Sequence, residues 1–224
     1  MPFILDVSAA SGVRDVARVG GHTLYSVRPE DNAWGSVEAF IRNRFWQAFA
    51  AVPSIQVPEL VVLCDDRHVM LAAVGLQLAG PAPLFVENYL GQPVEQAMAP
   101  RVVADRSLIV EIAHLAGVQG GISRLLFPML TVLLHDQGIQ WVTFTGTRQL
   151  RVSFQRLGLT AHSLGVADPD RIPGGAEAWG HYYHHQPEVL IAHVPSGYRV
   201  LADKGVLSRV FPQSRDGDAH ELSA

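Results

Sequence analysis

Glu111 stands in the middle of an apolar run, Leu108 to Leu115, between Val110 and Ile112. A carboxylate on such a segment is costly to bury without a partner. Two uses would justify it: a general base or amine anchor beside a substrate, or a structural ion pair with an arginine such as Arg106. An amine attacks only in its neutral form, and a base of raised pKa nearby serves that need. Glu87, in Phe-Val-Glu-Asn-Tyr at 85–89, is a second candidate. It could bind a substrate ammonium or act as the base in place of Glu111, or be a plain loop charge. Glu95 is the weaker third, on a short segment that could simply face solvent.

Val118-Gln119-Gly120-Gly121-Ile122-Ser123 precedes a predicted helix. Glycines there let backbone N–H groups approach a pyrophosphate, and a helix N-terminus favours its charge. The competing reading is an ordinary strand-to-helix turn. Trp179, His181, Tyr182 and Tyr183 form a cluster dense in rings and polar tips. A Tyr can protonate a leaving group or donate to a carbonyl, and a Trp can wall an acyl pocket; packing alone would also explain such a cluster. Arg148 and Arg151 flank the start of a predicted helix and could pair with phosphates or with an acidic protein surface. Solvated helix-face charge is the alternative. His181, His184 and His185 lack a positioned carboxylate, so no metal site is expected. Cys64, the single cysteine, reads as a small buried hydrophobe rather than a nucleophile.

The elements that must carry these residues follow from periodicity. The first twenty residues are weakly patterned and are expected to be irregular. His22 to Val27 alternates as a strand. Trp34 to Ala51 has apolar residues at Val37, Phe40, Ile41, Phe45 and Ala48, which is helical spacing. Glu59 to Cys64 and Val69 to Leu78, around Asp65-Asp66-Arg67, form a hairpin. Leu84 to Leu90 is short and mixed, and Pro93 to Met98 makes one or two helical turns. The remainder reads as strand 108–115, a glycine loop, helix 122–136, strand 141–145, helix 149–157 and strand 159–166. A Pro/Gly-rich loop from Pro169 to Gly175, strand 189–194 and a helix near 201–210 complete the chain. Antiparallel strands lead and β-α-β units follow. That order predicts an α/β (α+β) domain with a mixed, mostly antiparallel central sheet flanked by helices. The expected division is an irregular segment at 1–20, one domain at 21–211 and a flexible tail at 212–224.

With 48% hydrophobic and only 17% charged residues, the chain has ample material for a core, which excludes extended disorder. A net charge of −4 without a basic block argues against general nucleic-acid binding. The start, Met-Pro-Phe-Ile-Leu-Asp-Val, lacks the features of a secretory signal. Leu125 to Leu134 is too short for a membrane span. A cytoplasmic protein is expected.

From about Arg44 to Val194 the sequence resembles the thermostable hemolysin family. The residues that carry this are Ala-Ala-Val-Gly-Leu at 72–76, Pro-Leu-Phe-Val-Glu-Asn-Tyr-Leu at 83–90 and Pro-Val-Glu at 93–95. Further matches are Ile-Val-Glu-Ile-Ala-His-Leu-Ala at 109–116, Trp-Val-Thr-Phe-Thr-Gly-Thr at 141–147 and Leu-Arg at 150–151. Arg-Leu-Gly-Leu at 156–159, Ala-Asp-Pro at 167–169 and Trp-Gly-His-Tyr-Tyr at 179–183 complete the set. His114 departs from the family, where Asn is expected. The family's name records a lytic phenotype, for which the sequence has neither an export signal nor an amphipathic pore segment.

More broadly, the element order is similar to the GCN5-related N-acetyltransferase fold and, within it, to acyl-homoserine-lactone synthases. The synthases share the order Arg44-Phe45, strand 69–78, Leu84-Phe85, then Arg106 with Glu111. That resemblance implies an N-acyltransferase using acyl-CoA or the acyl-phosphopantetheine arm of an acyl carrier protein, with a small amine as acceptor. It implies that Gln119, Gly120, Gly121 and Ser123 cradle the donor, although their spacing is compressed relative to the fold's usual loop, with Arg148 and Arg151 near its phosphates. Glu111 or Glu87 would be the base, and Tyr182 or Tyr183 the thiolate's proton donor. Arg44, Phe85, Arg106, His114 and Trp179 would contact substrate. The late-helix Tyr of ordinary acetyltransferases is here Phe154, which has no proton to give. A catalytically inert acyl- or metabolite-binding protein of the same fold is the alternative, and membrane lysis the least favoured.

Overall fold

The computed structural model describes residues 2–118 and 121–211. Eight strands form one sheet: β1 (Arg14–Val19), β2 (His22–Val27), β3 (Glu59–Asp65), β4 (Met70–Leu78), β5 (Ile109–Gly117), β6 (Trp141–Gly146), β7 (His162–Val166) and β8 (Glu188–His193). Their spatial order is β1-β2-β3-β4-β5-β6-β8-β7. Every neighbouring pair is antiparallel except the parallel β5–β6 pair at the centre. This is the mixed, mostly antiparallel sheet that the element order predicts.

The two hairpins, β1–β2 and β3–β4, follow from turn chemistry. Asp65 Oδ1 accepts from the Arg67 and Val69 amides, which closes the β3–β4 turn. Arg14–Val19 corrects the expectation of an irregular N-terminal segment. A register shift between Asp15 and Ala17 leaves the neighbours Val16 and Ala17 both half-buried, so the strand does not alternate. The legible signal was Gly20-Gly21, a two-residue hairpin turn with positive φ at both positions.

Helices cover both faces. On one lie α1 (Trp34–Phe49), α2 (Val86–Leu90) and α3 (Val94–Met98). Val37, Phe40, Ile41 and Phe45 form the buried stripe of α1. On the other lie α4 (Ser123–Asp136), α5 (Arg148–Leu157), α6 (Val194–Asp203) and α7 (Val206–Val210). α5 starts at an N-cap, Thr147, and ends at Gly158 in the left-handed region (φ 81°). The last helical region begins earlier than its sequence suggests, at Val194, because Pro195 opens a helix as well as it ends one.

Residues of β5 alternate between the faces. Val110, Ile112 and Leu115 pack with α4, α5 and α6, while Ala113 and Ala116 pack with α1. Among the described residues no helix is long and apolar enough to cross a membrane.

Candidate active site

Two irregularities of β5 create the site. Its parallel pairing with β6 runs only from Ile109↔Trp141 to Ile112↔Phe144, though β5 continues to Gly117 and β6 to Gly146. Beyond Ile112 the two strands splay. On the other edge, the register with β4 passes from Ala73↔Ala116 to Gly75↔Ala113. β5 therefore carries one residue more than β4 there, a bulge that holds His114 at φ 53°. A cavity of about 1320 Å³ opens at this point and is lined from both faces of the sheet.

Glu111 sits just before the splay, 3% exposed. It does not pair with Arg106, so the ion-pair alternative is corrected. Its Oε2 accepts from the Phe85 amide at 2.7 Å and its Oε1 from the Val86 amide at 3.2 Å. Burial pushes its pKa up to about 7 against the pull of those two amides, and the negative Glu87 adds to the rise. Arg106 goes instead to Glu87 and Glu95, reaching Glu95 at 2.6 Å. Glu87 also accepts from the Leu84 amide at 2.9 Å and the Val94 amide at 2.8 Å. Burial alone would raise the Glu87 pKa, but Arg106 and these amides together hold it below the usual range. Glu87 thus stitches the 84–94 segment together and presents its amides to Glu111.

Around Glu111 gather rings. Tyr89 lines the cavity, and its hydroxyl meets that of Tyr183 at 2.7 Å. Burial raises the pKa of both, so both are protonated phenols at neutral pH. Trp179 lies against Phe85 (5.8 Å between centres), Phe45 (6.2 Å) and Tyr182 (5.5 Å). The short turns that carry this cluster are tied to the end of α1. The His181 amide donates to the Phe49 carbonyl at 2.8 Å, and the Val52 amide to the Ala178 carbonyl at 2.7 Å. Gly180 makes that docking possible: a Cβ there would lie 2.2 Å from the Phe49 oxygen.

Arg44 reaches across from α1. Its Nε donates to the Gly117 carbonyl at 2.8 Å and its Nη2 to the Val118 carbonyl at 3.2 Å. It fixes the strand end that leads into the glycine loop. Gln119 and Gly120 lie outside the described residues. Gly121, at φ 104°, and Ser123, the first residue of α4, both line the cavity.

On the opposite face the cavity is an apolar arm. Leu126, Leu130 and Leu134 of α4 meet Phe144, Phe154 and Leu159 there, and Gly197 of α6 lies at its margin. Phe154 packs at a tilt against Phe127 (4.8 Å between centres) and Phe144 (5.0 Å), as a wall of the arm.

The structure brings Glu111, Glu87, Arg44, Phe85, His114, Gly121, Ser123, Trp179 and Tyr182 around one cavity. Arg106 stands behind Glu87, and Tyr183 behind Tyr89. Arg151 is spent on an ion pair with Glu188, and Arg148 is exposed at the start of α5. Sequence reasoning missed Tyr89, which follows by four residues Phe85, the N-cap of α2, and packs edge-on against its ring at 5.6 Å. It also missed Phe45 as a site wall, which its place in a core stripe concealed. Cys64 is buried, with its thiol pushed up to about 12 chiefly by that burial, which agrees with an inert thiol.

A family model for thermostable hemolysin matches residues 27–198. The chain belongs to the thermostable hemolysin family. A comparison with curated proteins finds no match. Solved structures share the fold at low identity. The N-acyl amino acid synthase FeeM from uncultured soil microbes aligns over 86% of this chain and 97% of its own, at 15% identity and a TM-score of 0.55. The CoA-dependent acyl-homoserine lactone synthase BjaI aligns over 82% and 89%, at 16% identity and 0.54. The acyl-homoserine lactone synthase LasI aligns over 77% and 90%, at 12% and 0.53. The fold is therefore the acetyltransferase-like fold of acyl-transferring synthases.

Proposed function

We propose that this protein is an N-acyltransferase that moves an acyl group from a thioester to a small amine or amino-acid-like acceptor. The donor is an acyl-CoA or the acylated phosphopantetheine of a carrier protein. The observation that carries this reading is the splay of β5 from β6 beside Glu111, which joins an aromatic, polar compartment to an apolar arm. A solved structure of BjaI holds SAM and isopentyl-CoA, and FeeM is an N-acyl amino acid synthase. Both are consistent with such a reaction on this fold.

In the proposed reaction the acyl chain fills the arm and the thioester carbonyl lies at the bulge. The arm's depth and apolar walls suit a chain well beyond acetyl. The pantetheine follows the open edge of β5 toward Gly121 and Ser123. The acceptor amine attacks the carbonyl carbon; a C–N bond forms, the C–S bond breaks, and Glu111 takes the amine's proton. A carboxylate of pKa about 7 accepts that proton and releases it again near neutral pH. Backbone donors at the interrupted β4–β5 ladder face the developing oxyanion, each worth about 3–4 kcal/mol of barrier where geometry is right. Glu87, already engaged by Arg106 and two amides, positions rather than reacts. With Phe154 unable to donate, the leaving thiolate takes its proton from a tyrosine of the 182–183 turn or from solvent.

The absent late-helix tyrosine also favours a second reading, a binder that holds an acyl thioester without turning it over. Thiol release by the full-length protein, measured over acyl-CoA donors of increasing chain length with pooled primary amines, separates the two. Amine-dependent release that peaks at medium or long chains, with the amide found by mass spectrometry, is the expected result. Donor that stays intact and bound would replace the transferase with the binder.

A further inference from the structure

The proposed reaction leaves the acceptor open between a plain amine and an amino acid, and the charges around Glu111 bear on that choice. Among the described residues, three charged side chains line the cavity: Glu111, Glu87 and Arg44. Arg44 serves the donor end. Its Nε donates to the Gly117 carbonyl at 2.8 Å, its Nη1 to Gln47 Oε1 at 2.5 Å and its Nη2 to the Val118 carbonyl at 3.2 Å. Six residues of β5, up to about 20 Å of strand, separate Gly117 from Glu111.

The other arginines near Glu111 are committed elsewhere. Arg106 stands behind Glu87, bonded to Glu87, Glu95 and the Ala82 carbonyl, and so cancels the Glu87 charge locally. Arg171 donates to the Tyr89 carbonyl at 2.9 Å and lies beside Asp168, outside the cavity lining. The Phe85 and Val86 amides are already taken by Glu111 and are not open to a ligand anion. His114, with its pKa lowered to about 4 by burial, is neutral. Glu111 is thus a carboxylate with no cation facing it. Beside it Phe85 lies 5.6 Å from Tyr89 and 5.8 Å from Trp179, centre to centre. Aromatic faces attract an ammonium and repel a carboxylate. The side chains at the rim, Gln56, Asn88 and Gln92, are neutral.

We infer that this compartment is an ammonium subsite, so that the acceptor is a primary amine without a carboxylate rather than an amino acid. The ammonium enters against Glu111, and the rings of Phe85, Tyr89 and Trp179 hold the carbon body. A carboxylate on the acceptor would lose its water beside Glu111 and those rings, with no cation to receive it. The amine's reaction rests on the acyl-transfer reading; the selection against a carboxylate does not.

The test is titration calorimetry on the full-length protein at pH 8, above the Glu111 pKa of about 7. The ligands are two matched sets: 3-methylbutylamine, leucinamide and leucine, and phenethylamine, phenylalaninamide and phenylalanine. Each amine and each amide should bind at least about tenfold more tightly than its amino acid. The amides keep the bulk at the α-carbon and remove the charge. Amides as weak as the amino acids would make bulk the cause and overturn the subsite, as would equal affinities within each set or no binding of any. Glu111→Gln should weaken the amines and close the gap. Gln92→Arg, which adds a cation at an exposed position of the rim, should narrow it by strengthening the amino acids. A gap equally wide in both variants would also overturn the subsite. Thiol release with the same six acceptors separates the two proposals. Release as fast with the amino acids as with their amines would sink the subsite and leave the transferase. Selective amine binding with no thiol release from any donor would keep the subsite and sink the transferase.

Discussion

The two sides of the sheet at the β5–β6 splay are built from different chemistry. Toward α1 and α2 the cavity wall holds Glu111, Tyr89, Tyr182, Trp179 and His114, each fixed by a named bond or ring contact. Toward α4, α5 and α6 it holds leucines and phenylalanines, Phe154 among them. In the proposed reaction that difference would separate bond-making from chain storage. One face orients polar groups at known positions, the other supplies volume and apolar surface, and the missing ladder beyond Ile112 connects them.

The largest way to break that division is to disarm the polar face. Glu111→Gln should cut turnover by about 10²- to 10⁴-fold while donor affinity stays within a few-fold. Unchanged turnover in steady-state kinetics would remove Glu111 as the base. The wild-type rate should fall on acidification below about pH 7, because the base must be ionised.

The same substitution has a stability signature. The folded pKa of Glu111 is raised from 4.5 to about 7, so its contribution is full below pH 4.5 and is lost as pH rises through about 7. The folded pKa of His114 is lowered from 6.5 to about 4, so its contribution is full above pH 6.5 and is lost as pH falls through about 4. The two oppose each other over nearly one window. Glu111→Gln should therefore make stability fall more steeply between pH 6.5 and 4.5 than in the wild type. Denaturant titrations at several pH values measure this, and an equal or shallower slope would contradict a buried, proton-holding Glu111.

Next in size is Gly180→Val, which attacks how the polar face is held. Its Cβ would meet the Phe49 and Ala50 carbonyl oxygens at 2.2 and 2.6 Å. A loss of about 2–3 kcal/mol in urea unfolding is expected, with turnover falling as Trp179 shifts. Wild-type stability would mean that the 177–185 turns are not docked on α1.

The apolar face is tested by Gly197→Leu. Glycine inside α6 carries no helix preference to lose, and a Cβ would approach Leu159 Cδ2 at 3.3 Å. The variant should shorten the preferred acyl chain by several carbons and leave turnover with short donors within about threefold, consistent with ~0.8 kcal/mol per buried methylene. An unaltered chain-length profile would place the acyl group elsewhere. The smallest effect should come from Glu95→Gln. Arg106 keeps Glu87, so a loss of no more than about 1 kcal/mol and unchanged turnover are expected.

Much of this architecture could be read from residues alone. Alternation located β2, apolar runs around a polar turn located β3 and β4, a β-branched run located β5, and the stripe Val37-Phe40-Ile41-Phe45 located α1. Glu111 announced itself as a lone carboxylate in an apolar strand. Its partners did not, because the amides of Phe85 and Val86 have no side-chain signature and Arg106 looked equally suited. The His114 bulge was hidden for a similar reason: register depends on β4 and β5 together, and nothing local to either strand states it. β1 escaped notice because the irregularity between Asp15 and Ala17 interrupts its alternation.

The most direct test of the connected-cavity account is a crystal structure of the full-length protein with a non-hydrolysable long-chain acyl-CoA thioether. The account predicts the reactive carbon between Ala113 and Thr145 within reach of Glu111, with the alkyl chain passing through the sheet to lie along Leu126, Leu130 and Phe154. An alkyl chain resting on the outer surface, with the β5–β6 opening closed by side chains, would contradict it.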